Sequence, residues 1–433
     1  MAIIVQKFGG SSVADAARIR HCASRVSEAK RRGDSVAVVV SARGDTTDDL
    51  LAMASQLSDT PDKRELDQLL ATGEQISIAL MSMALKVMGL DAISLTGAQC
   101  GIETDGAYNR ARIKSVDPSR LLAEFKAGRI PVVAGFQGLA ANGDVTTLGR
   151  GGSDTTAVAL AAAIRADECE IYTDVDGVYT ADPRLVPNAQ LKPYISYDEM
   201  MEAASQGAKV MHLRAVELGK KAGVPIRVLH SLRHGTGTLI TDLVSNMETQ
   251  RAVSTVALKT DIGRVTLAGL PNRPGLQRLV FDRIAASGIS VDDIIQTEAL
   301  GIGGKEVGPD FIQSHADTPT SGLCNIVFTL DKAELAEVRP LVEAALTELG
   351  HGRVHVDLGL AKVSAVGVGM QSQPGVAARM FRALAEAGIR IANITTSEIK
   401  ISCIIDESDG KSALRVVHDA FELGTSAGHQ QAR

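Results

Sequence analysis

No stretch of this chain approaches the roughly 20 consecutive apolar residues that span a bilayer, and its start shows no basic segment leading into an apolar core. The sequence therefore predicts a soluble, cytoplasmic protein without membrane contact. Cysteine is scarce: Cys22, Cys100, Cys169, Cys324 and Cys403 are scattered, odd in number and never in Cys-x-x-Cys spacing. That argues against a disulfide framework and against a structural zinc site, and leaves reduced, mostly buried thiols. Basic runs are equally scarce. Against a net charge of −6, the only compact one is Lys30-Arg31-Arg32. It closes a predicted helix, where cations suit the dipole, so nucleic acid is not an expected partner. Both common nucleotide signatures, Gly-x4-Gly-Lys-Ser/Thr and Gly-x-Gly-x-x-Gly, are missing. Any nucleotide must be held by another scheme.

What the chain does have is glycine where strands turn into helices. Thr147-Leu148-Gly149-Arg150-Gly151-Gly152-Ser153-Asp154 leads directly into the apolar helical run Ala157 to Ile164. Glycines let backbone amides approach an anion, the helix N-terminus adds roughly half a positive charge, and Arg150 offers a fork of donors. A second such turn, Gly9-Gly10-Ser11-Ser12, follows the short apolar strand Ile3 to Phe8, with Lys7 at its end and a helix from about Asp15 to Lys30 beyond. Taken alone, either turn is an ordinary connector.

At 433 residues and 45% hydrophobic content, the chain can build two or three domains. Up to about residue 240, strand-like runs alternate with helical stretches: Ile3 to Phe8, Val36 to Ser41, Ala92 to Leu95, Ile130 to Gly135, Glu170 to Thr173 and Ile226 to Leu229. Several are apolar on both faces, as parallel strands covered by helices must be, so the fold class is α/β, an open α/β/α sandwich. Ligands in such sheets bind at the carboxyl ends of the strands, which is where Lys7, Ser41 and Thr173-Asp174 stand.

Beyond residue 250 the grammar changes to an internal repeat. Pro274-Gly275 recurs as Pro374-Gly375, Phe281 as Phe381, Gly288-Ile289 as Gly388-Ile389 and Ile294 as Ile394, always at an offset of 100. Each copy reads as a small ferredoxin-like α+β unit. The first ends in the alternating strand Arg353 to Leu358, whereas the second runs into the polar tail 424–433 without a last strand. The orphan strand Val253 to Leu258 is expected to complete it, so that the first unit is inserted within the second.

Together these motifs resemble the aspartate kinases, an amino-acid-kinase fold followed by two ACT units. The marks are Lys7-Phe8-Gly9-Gly10-Ser11-Ser12, Ser41-Ala42-Arg43-Gly44 with Thr46-Thr47-Asp48, Thr72-Gly73-Glu74, the run Gly149 to Asp154, Thr173 to Tyr179 and Ala181-Asp182-Pro183-Arg184, in family order. The resemblance implies domains at 1–245 (catalytic), 263–358 (inserted ACT unit) and 252–260 plus 361–423 (second ACT unit). It further implies transfer of the γ-phosphoryl of ATP, carried with Mg²⁺, to the side-chain carboxylate of L-aspartate. Chemistry agrees: a carboxylate nucleophile with a pKa near ~3.9 is ionised at neutral pH, so positioning and charge neutralisation suffice and no general base is required.

By the same resemblance Lys7 and Asp154 are catalytic, Lys7 meeting the transferring phosphoryl and Asp154 orienting Lys7 and the substrate. On its own Lys7 would read as a solvated lysine, and Asp154 as a helix N-cap. The aspartate site falls to Ser41, Thr47, Glu74, Arg150, Gly151, Gly152 and Ser153, with Arg150 facing carboxylate and Glu74 the α-ammonium. Without the resemblance, Glu74 would equally suit the first turn of a helix Glu74 to Met88. Arg43 stands where the family usually has Met. The ATP site falls to Lys7, Gly9, Gly10, Ser11, Thr173, Asp174, Tyr179, Asp182, Arg184 and Lys209. Asp174-Val175-Asp176-Gly177 could open a calcium loop, but the third acid and the closing glutamate are missing.

ACT units imply feedback control by lysine or threonine at paired interfaces of a homo-oligomer, with Asn272, Gly275, Leu276 and Gln296 facing Asn393 and Ile394 of another unit. Asn272 stands where the family often has Asp. A shorter regulatory chain starting at Met247 and the Gly-, Pro- and Ser-containing interruption 299–322 stay open, as do two rival readings: a kinase for a glutamate-type substrate, and a catalytically silent amino-acid sensor.

Overall fold

The structure, a computed structural model, describes residues 2–208, 210–242, 251–298, 322–371 and 373–425. Lys209, Met247, the end of the tail and all of the 299–322 interruption except Gly322 lie outside them. The chain forms two compact units, one of Met1–Thr255, Val366–Pro374 and Phe421–Arg433, the other of Val256–Ala365 and Gly375–Ala420. Residues 366–374 and 421–423, expected to belong with the second ACT unit, thus group with the first compact unit. Arg251 explains part of this, because its guanidinium donates to the carbonyls of Glu422 and Thr425 at 2.8 and 2.9 Å.

The first unit is built on an eight-stranded sheet, ordered Tyr194–Ile195, Thr238–Ile240, Ile226–His230, Glu168–Thr173, Ile3–Phe8, Ser35–Val40, Ile130–Ala134, Ala92–Leu95. All neighbours are parallel except Thr238–Ile240 against Ile226–His230. Alternation explains why the sheet is sandwiched: Val5, Val39 and Val133 point into one apolar core, while Phe8, Val38 and Val132 point into another on the opposite face. The helix Ala16–Arg31 covers the second face, its N-terminus capped by Asp15 accepting from the Arg18 N–H. Gly152–Ala163 is buried on nearly every side.

Strand order reverses beside Ile3–Phe8, because the next strands in sequence go to one side of it and Glu168–Thr173 to the other. Such a switch point opens a crevice at the carboxyl ends, and both Lys7 and Thr173 border it. A second, four-stranded sheet, ordered Ile113–Val116, Ile102–Thr104, Gln137–Ala140, Val145–Thr147, feeds its last strand straight into Gly149. Its strands are three or four residues long and half polar, too short for a periodicity reading.

The second unit carries both repeats on one six-stranded sheet, ordered Asp292–Glu298, Leu323–Asp331, Thr255–Pro271, Arg353–Val366, Lys400–Asp406, Asn393–Ser397. The two central strands are long, 17 and 14 residues. Of the expected orphan strand Val253 to Leu258, Thr255 to Leu258 form the start of Thr255–Pro271, which continues as the first strand of the inserted copy. Arg353–Val366 likewise ends one copy and begins the other. Helices Leu276–Ser287 and Val376–Glu386 start at Gly275 and Gly375, with φ of 91° and 90°, as the Pro-Gly repeat predicts.

One buried charge stands out in this unit. Lys362, 1% exposed, places its Nζ 2.6 Å from Asp292 and 2.9 Å from Asp293. Hydrogen bonds and charge from these carboxylates hold the ammonium above its ordinary pKa against the opposing effect of burial. Lys362→Met would leave the buried Asp293 carboxylate without its ammonium beside the half-exposed Asp292, and is expected to destabilise the chain by about 3 kcal/mol, the low end for a broken buried pair. Urea unfolding followed by circular dichroism measures this; a loss below 1 kcal/mol would show the triad to be energetically idle.

Candidate active site

Lys7 sits in the central strand with Val39 and Ile171 as its lateral neighbours. Its Nζ lies 2.6 Å from Asp154 Oδ1, and both side chains are nearly buried. Asp154 is not the helix cap that its position suggested. Gly151, in the left-handed region at φ 71°, occupies that place, and Asp154 stands in the first turn of Gly152–Ala163. Its carboxylate is therefore free to face Lys7 rather than the helix amides.

Glycines let the surrounding loops approach backbone to backbone. A Cβ on Gly10 would meet the Ala42 carbonyl at 2.7 Å, and one on Gly135 would meet Ser153 Cβ at 2.7 Å. Ser41 donates its N–H to the Phe8 carbonyl, and Gly44 to Gly10, tying the second loop to the first. Arg43 turns away from the crevice and donates to the Ala14 carbonyl at 2.8 Å. Thr47 lies in the first turn of Thr46–Leu57.

Glu74 lies in the middle of the 25-residue helix Lys63–Val87, not at a helix start. The helix expected to start there runs back through Gly73 and Thr72 to Lys63. Gly73 serves close packing, since a Cβ there would stand 2.9 Å from Ala42 Cβ. Glu74 is 3% exposed. Its Oε1 accepts the Ala42 N–H at 2.9 Å, and its Oε2 is buried without a hydrogen-bond partner. Desolvation pushes its carboxyl up to about 7, with the Ala42 amide opposing. A buried carboxylate with an open oxygen is a place prepared for a cation.

Arg150 is exposed at the rim of the turn, and Gly152 and Ser153 are buried beneath it. Gly151 packs against His212, whose ring would stand 2.1 Å from a Cβ placed there. Burial lowers the His212 pKa, favouring the neutral imidazole. The Thr173 hydroxyl donates to Asp174 at 3.2 Å, and Asp182 accepts from the backbone N–H of Arg184 at 2.9 Å and from its guanidinium at 2.8–3.3 Å. The Tyr179 hydroxyl donates to Asp176 at 3.1 Å. Gly9, Gly10 and Ser11 lie on the Lys7 side of the crevice, and Gly9 donates to the Tyr172 carbonyl.

In the second unit Asn272 accepts from the Gln296 amide at 3.2 Å, close to Gly275 and the buried Leu276. Asn393 and Ile394 stand on the opposite edge strand of the sheet. One chain's sheet does not bring the two groups together.

Comparison with known proteins follows the same division. The amino acid kinase family matches residues 2–230, and the ACT domain matches 363–421. The chain is 46% identical over 429 residues to an aspartokinase of Pseudomonas aeruginosa, covering 99% of each, and 46% identical over 427 residues to an aspartokinase of Geobacillus stearothermophilus, again 99% of each. Among solved structures, E. coli aspartokinase III in complex with aspartate and ADP superposes with a TM-score of 0.78 at 26% identity, over 96% of this chain and 99% of that one.

The raised pKa of Glu74 has a measurable sign. Folding favours its protonated form, so its contribution is present below about 4.5 and is lost as pH rises through about 7. Without ligand, Glu74→Gln should therefore gain stability over the parent as pH rises from about 4.5 to about 7, levelling off at about 3 kcal/mol above that. Chemical denaturation at several pH values measures the difference; one that does not change with pH would place the carboxyl at its ordinary pKa.

Proposed function

Because this chain belongs to the aspartate kinase family and transfers a phosphoryl group from ATP to L-aspartate, we propose that Lys7 and Asp154 form its phosphoryl-transfer centre and that Glu74 and Arg150 hold the amino acid. The relatives that match its whole length are aspartokinases, so the glutamate-type kinase and the silent sensor no longer compete. The single observation carrying the assignment is the Lys7–Asp154 pair at the switch point, beside a buried carboxylate with an open oxygen.

The side-chain carboxylate of aspartate attacks the γ-phosphorus, the bond to the bridging oxygen of ADP breaks, and a mixed carboxylic–phosphoric anhydride results. No proton has to move. Lys7 Nζ and the amides of the Gly9–Ser11 turn neutralise the charge spread over the transferring oxygens, and Asp154 keeps Lys7 aimed. Glu74 Oε2 receives the α-ammonium, Arg150 forks onto a carboxylate, and Ser41, Thr47, Ser153 and the Gly151–Gly152 amides complete the contacts. ATP lies over Thr173 and Asp174, toward Tyr179, Asp182 and Arg184, with Lys209 contributing from outside the described residues. Among the described residues no three His, Cys, Asp or Glu side chains converge to hold a metal. Mg²⁺ bound with ATP would be held mainly by phosphate oxygens and water, and would neutralise phosphate charge.

Control follows from the second unit. E. coli aspartokinase III has been solved in complex with lysine and aspartate, with a TM-score of 0.69 at 26% identity over 97% of this chain and 99% of that one. We infer an effector site for lysine or threonine formed between two chains, since Gln296, hydrogen-bonded to Asn272, lies on one edge strand of the sheet and Asn393 and Ile394 on the other. A homo-oligomer is required to join them. A shorter chain beginning at Met247 would contain both edges as well.

Lys7→Ala should lower kcat at saturating ATP and aspartate by at least ~10³-fold with an intact fold, because the loss falls on transition-state charge. An ATP-dependent hydroxamate assay measures it, and near-parental turnover would refute the assignment. In the same assay Glu74→Gln should raise the aspartate KM roughly 10- to 100-fold and leave the ATP KM unchanged. Asn393→Ala should relieve inhibition by whichever of lysine and threonine acts, with uninhibited turnover preserved; full retention of inhibition would remove Asn393 from the effector site.

A further inference from the structure

Asp67 lies outside every motif discussed so far, yet it is fully buried. Its Oδ1 accepts from the Asn109 side-chain amide at 2.6 Å and from the Thr147 hydroxyl at 2.5 Å. Its Oδ2 accepts the backbone N–H of Asn109 and of Thr147, each at 3.0 Å. Asn109 is held at φ 65°, a conformation that costs a non-glycine residue energy and persists where the surroundings impose it.

Opposite this carboxylate stands a cation. Arg214 donates to the Leu148 carbonyl at 2.5 Å and to the Ala111 carbonyl at 3.0 Å, and burial lowers its pKa. The two strips 109–111 and 147–148 bond to each other through the Ala111 N–H and the Thr147 carbonyl at 2.9 Å. The exit Thr147-Leu148 is thus gripped on its amide side by an anion and on its carbonyl side by a cation. Two residues later comes Arg150. Gly149, at φ 73°, carries the chain between them, with Asn109's carbonyl 3.0 Å from where its Cβ would be.

Asp67 and Glu74 share the helix Lys63–Val87 and are seven residues apart, two turns along one face. One rigid element therefore carries both the carboxylate that receives the ammonium and the anchor of the loop presenting the guanidinium. The geometry points to Asp67 as a positioning residue that sets the placement of Arg150 relative to Glu74, and with it the orientation in which the dicarboxylate amino acid is held. This rests on the assignment of Glu74 and Arg150 to the substrate. The helix is then a ruler set from the head group: with the ammonium and the Arg150-held carboxylate fixed, the side chain of aspartate brings its carboxylate in line with ATP, and the extra methylene of glutamate carries it out of line.

The test uses the full-length enzyme and the hydroxamate assay with aspartate and with glutamate. Asp67→Asn keeps size but turns an amide N–H toward the donors of Asn109 and Thr147; Thr147→Val, a milder change, removes one hydroxyl bond and leaves the fold. Both should raise the aspartate KM, about tenfold or more for Asp67→Asn, while the ATP KM stays within twofold. The preference for aspartate over glutamate in kcat/KM should fall in both. Equal rises in both KM values, or a lowered melting temperature with unchanged KM and unchanged preference, would make Asp67 merely structural and overturn the proposal. Arg150→Ala is measured alongside: if it leaves the aspartate KM unchanged, the substrate assignment fails, whereas a raised KM there with unaltered Asp67→Asn and Thr147→Val defeats the ruler alone.

Discussion

The constraint on which the first unit depends is the absence of side chains where its loops meet. Helix Lys63–Val87 comes close to the second loop because Gly73 has no Cβ to strike Ala42, and that same loop lies against the first because Gly10 has none to strike the Ala42 carbonyl. Ser153 comes under the end of Ile130–Ala134 because Gly135 has none either. Any side chain at these points must push apart elements that are otherwise packed at crystal-like density, and interiors of this kind do not yield by gradual deformation. The Lys7–Asp154 distance and the Ala42–Glu74 hydrogen bond are consequences of that closeness, so the chemistry of the crevice is set by residues that take no part in it.

Much of this was legible in the sequence, for a physical reason. Glycines at strand ends, a lysine before them and a strand apolar on both faces are local patterns, and they put Lys7 near the end of its strand and Gly9 and Gly10 in the turn after it, whereas the helix expected from Ala157 begins earlier, at Gly152. The helix of Glu74 starts eleven residues earlier than expected, at Lys63, and only tertiary contact with Ala42 reveals why glycine is tolerated mid-helix at position 73. Asp67, His212 and Arg214 carried no sequence signal that the motifs could use. Their partners lie 42 or more residues away in every case described, and an ordinary aspartate, histidine or arginine on a helix looks like a solvated one until the fold brings those partners in. The small sheet was missed for the opposite reason: its strands are too brief for a period to register.

In the second unit the offset of 100 residues revealed the repeat, because the Pro-Gly turn and the Gly-Ile exit need the same backbone in each copy. Where the copies diverge, they diverge in charge. Asp293 of the first corresponds to Asn393 of the second, and the first is tied down by Lys362 while the second leaves its amide at a partly exposed strand start. The same scaffold position is thus a buried brace in one copy and an available hydrogen-bonding group in the other.

The long strands Thr255–Pro271 and Arg353–Val366 have a further consequence, which concerns how the chain folds. Tandem domains can form one after another as they leave the ribosome, each closing its own loops. Here the second copy owes a strand to the residues just before the first, and the last strand of the first runs without a break into the beginning of the second. Roughly a hundred residues must be spanned before the outer copy can close, so its native contacts have high sequence separation and their loop-closure entropy is met early in the reaction. The inner copy, complete by residue 358, is the natural nucleus, and the outer one condenses onto edges that already exist. Translation that stalls beyond that point would leave a finished inner sheet exposing a bare central edge, the arrangement by which strands recruit partners from other chains.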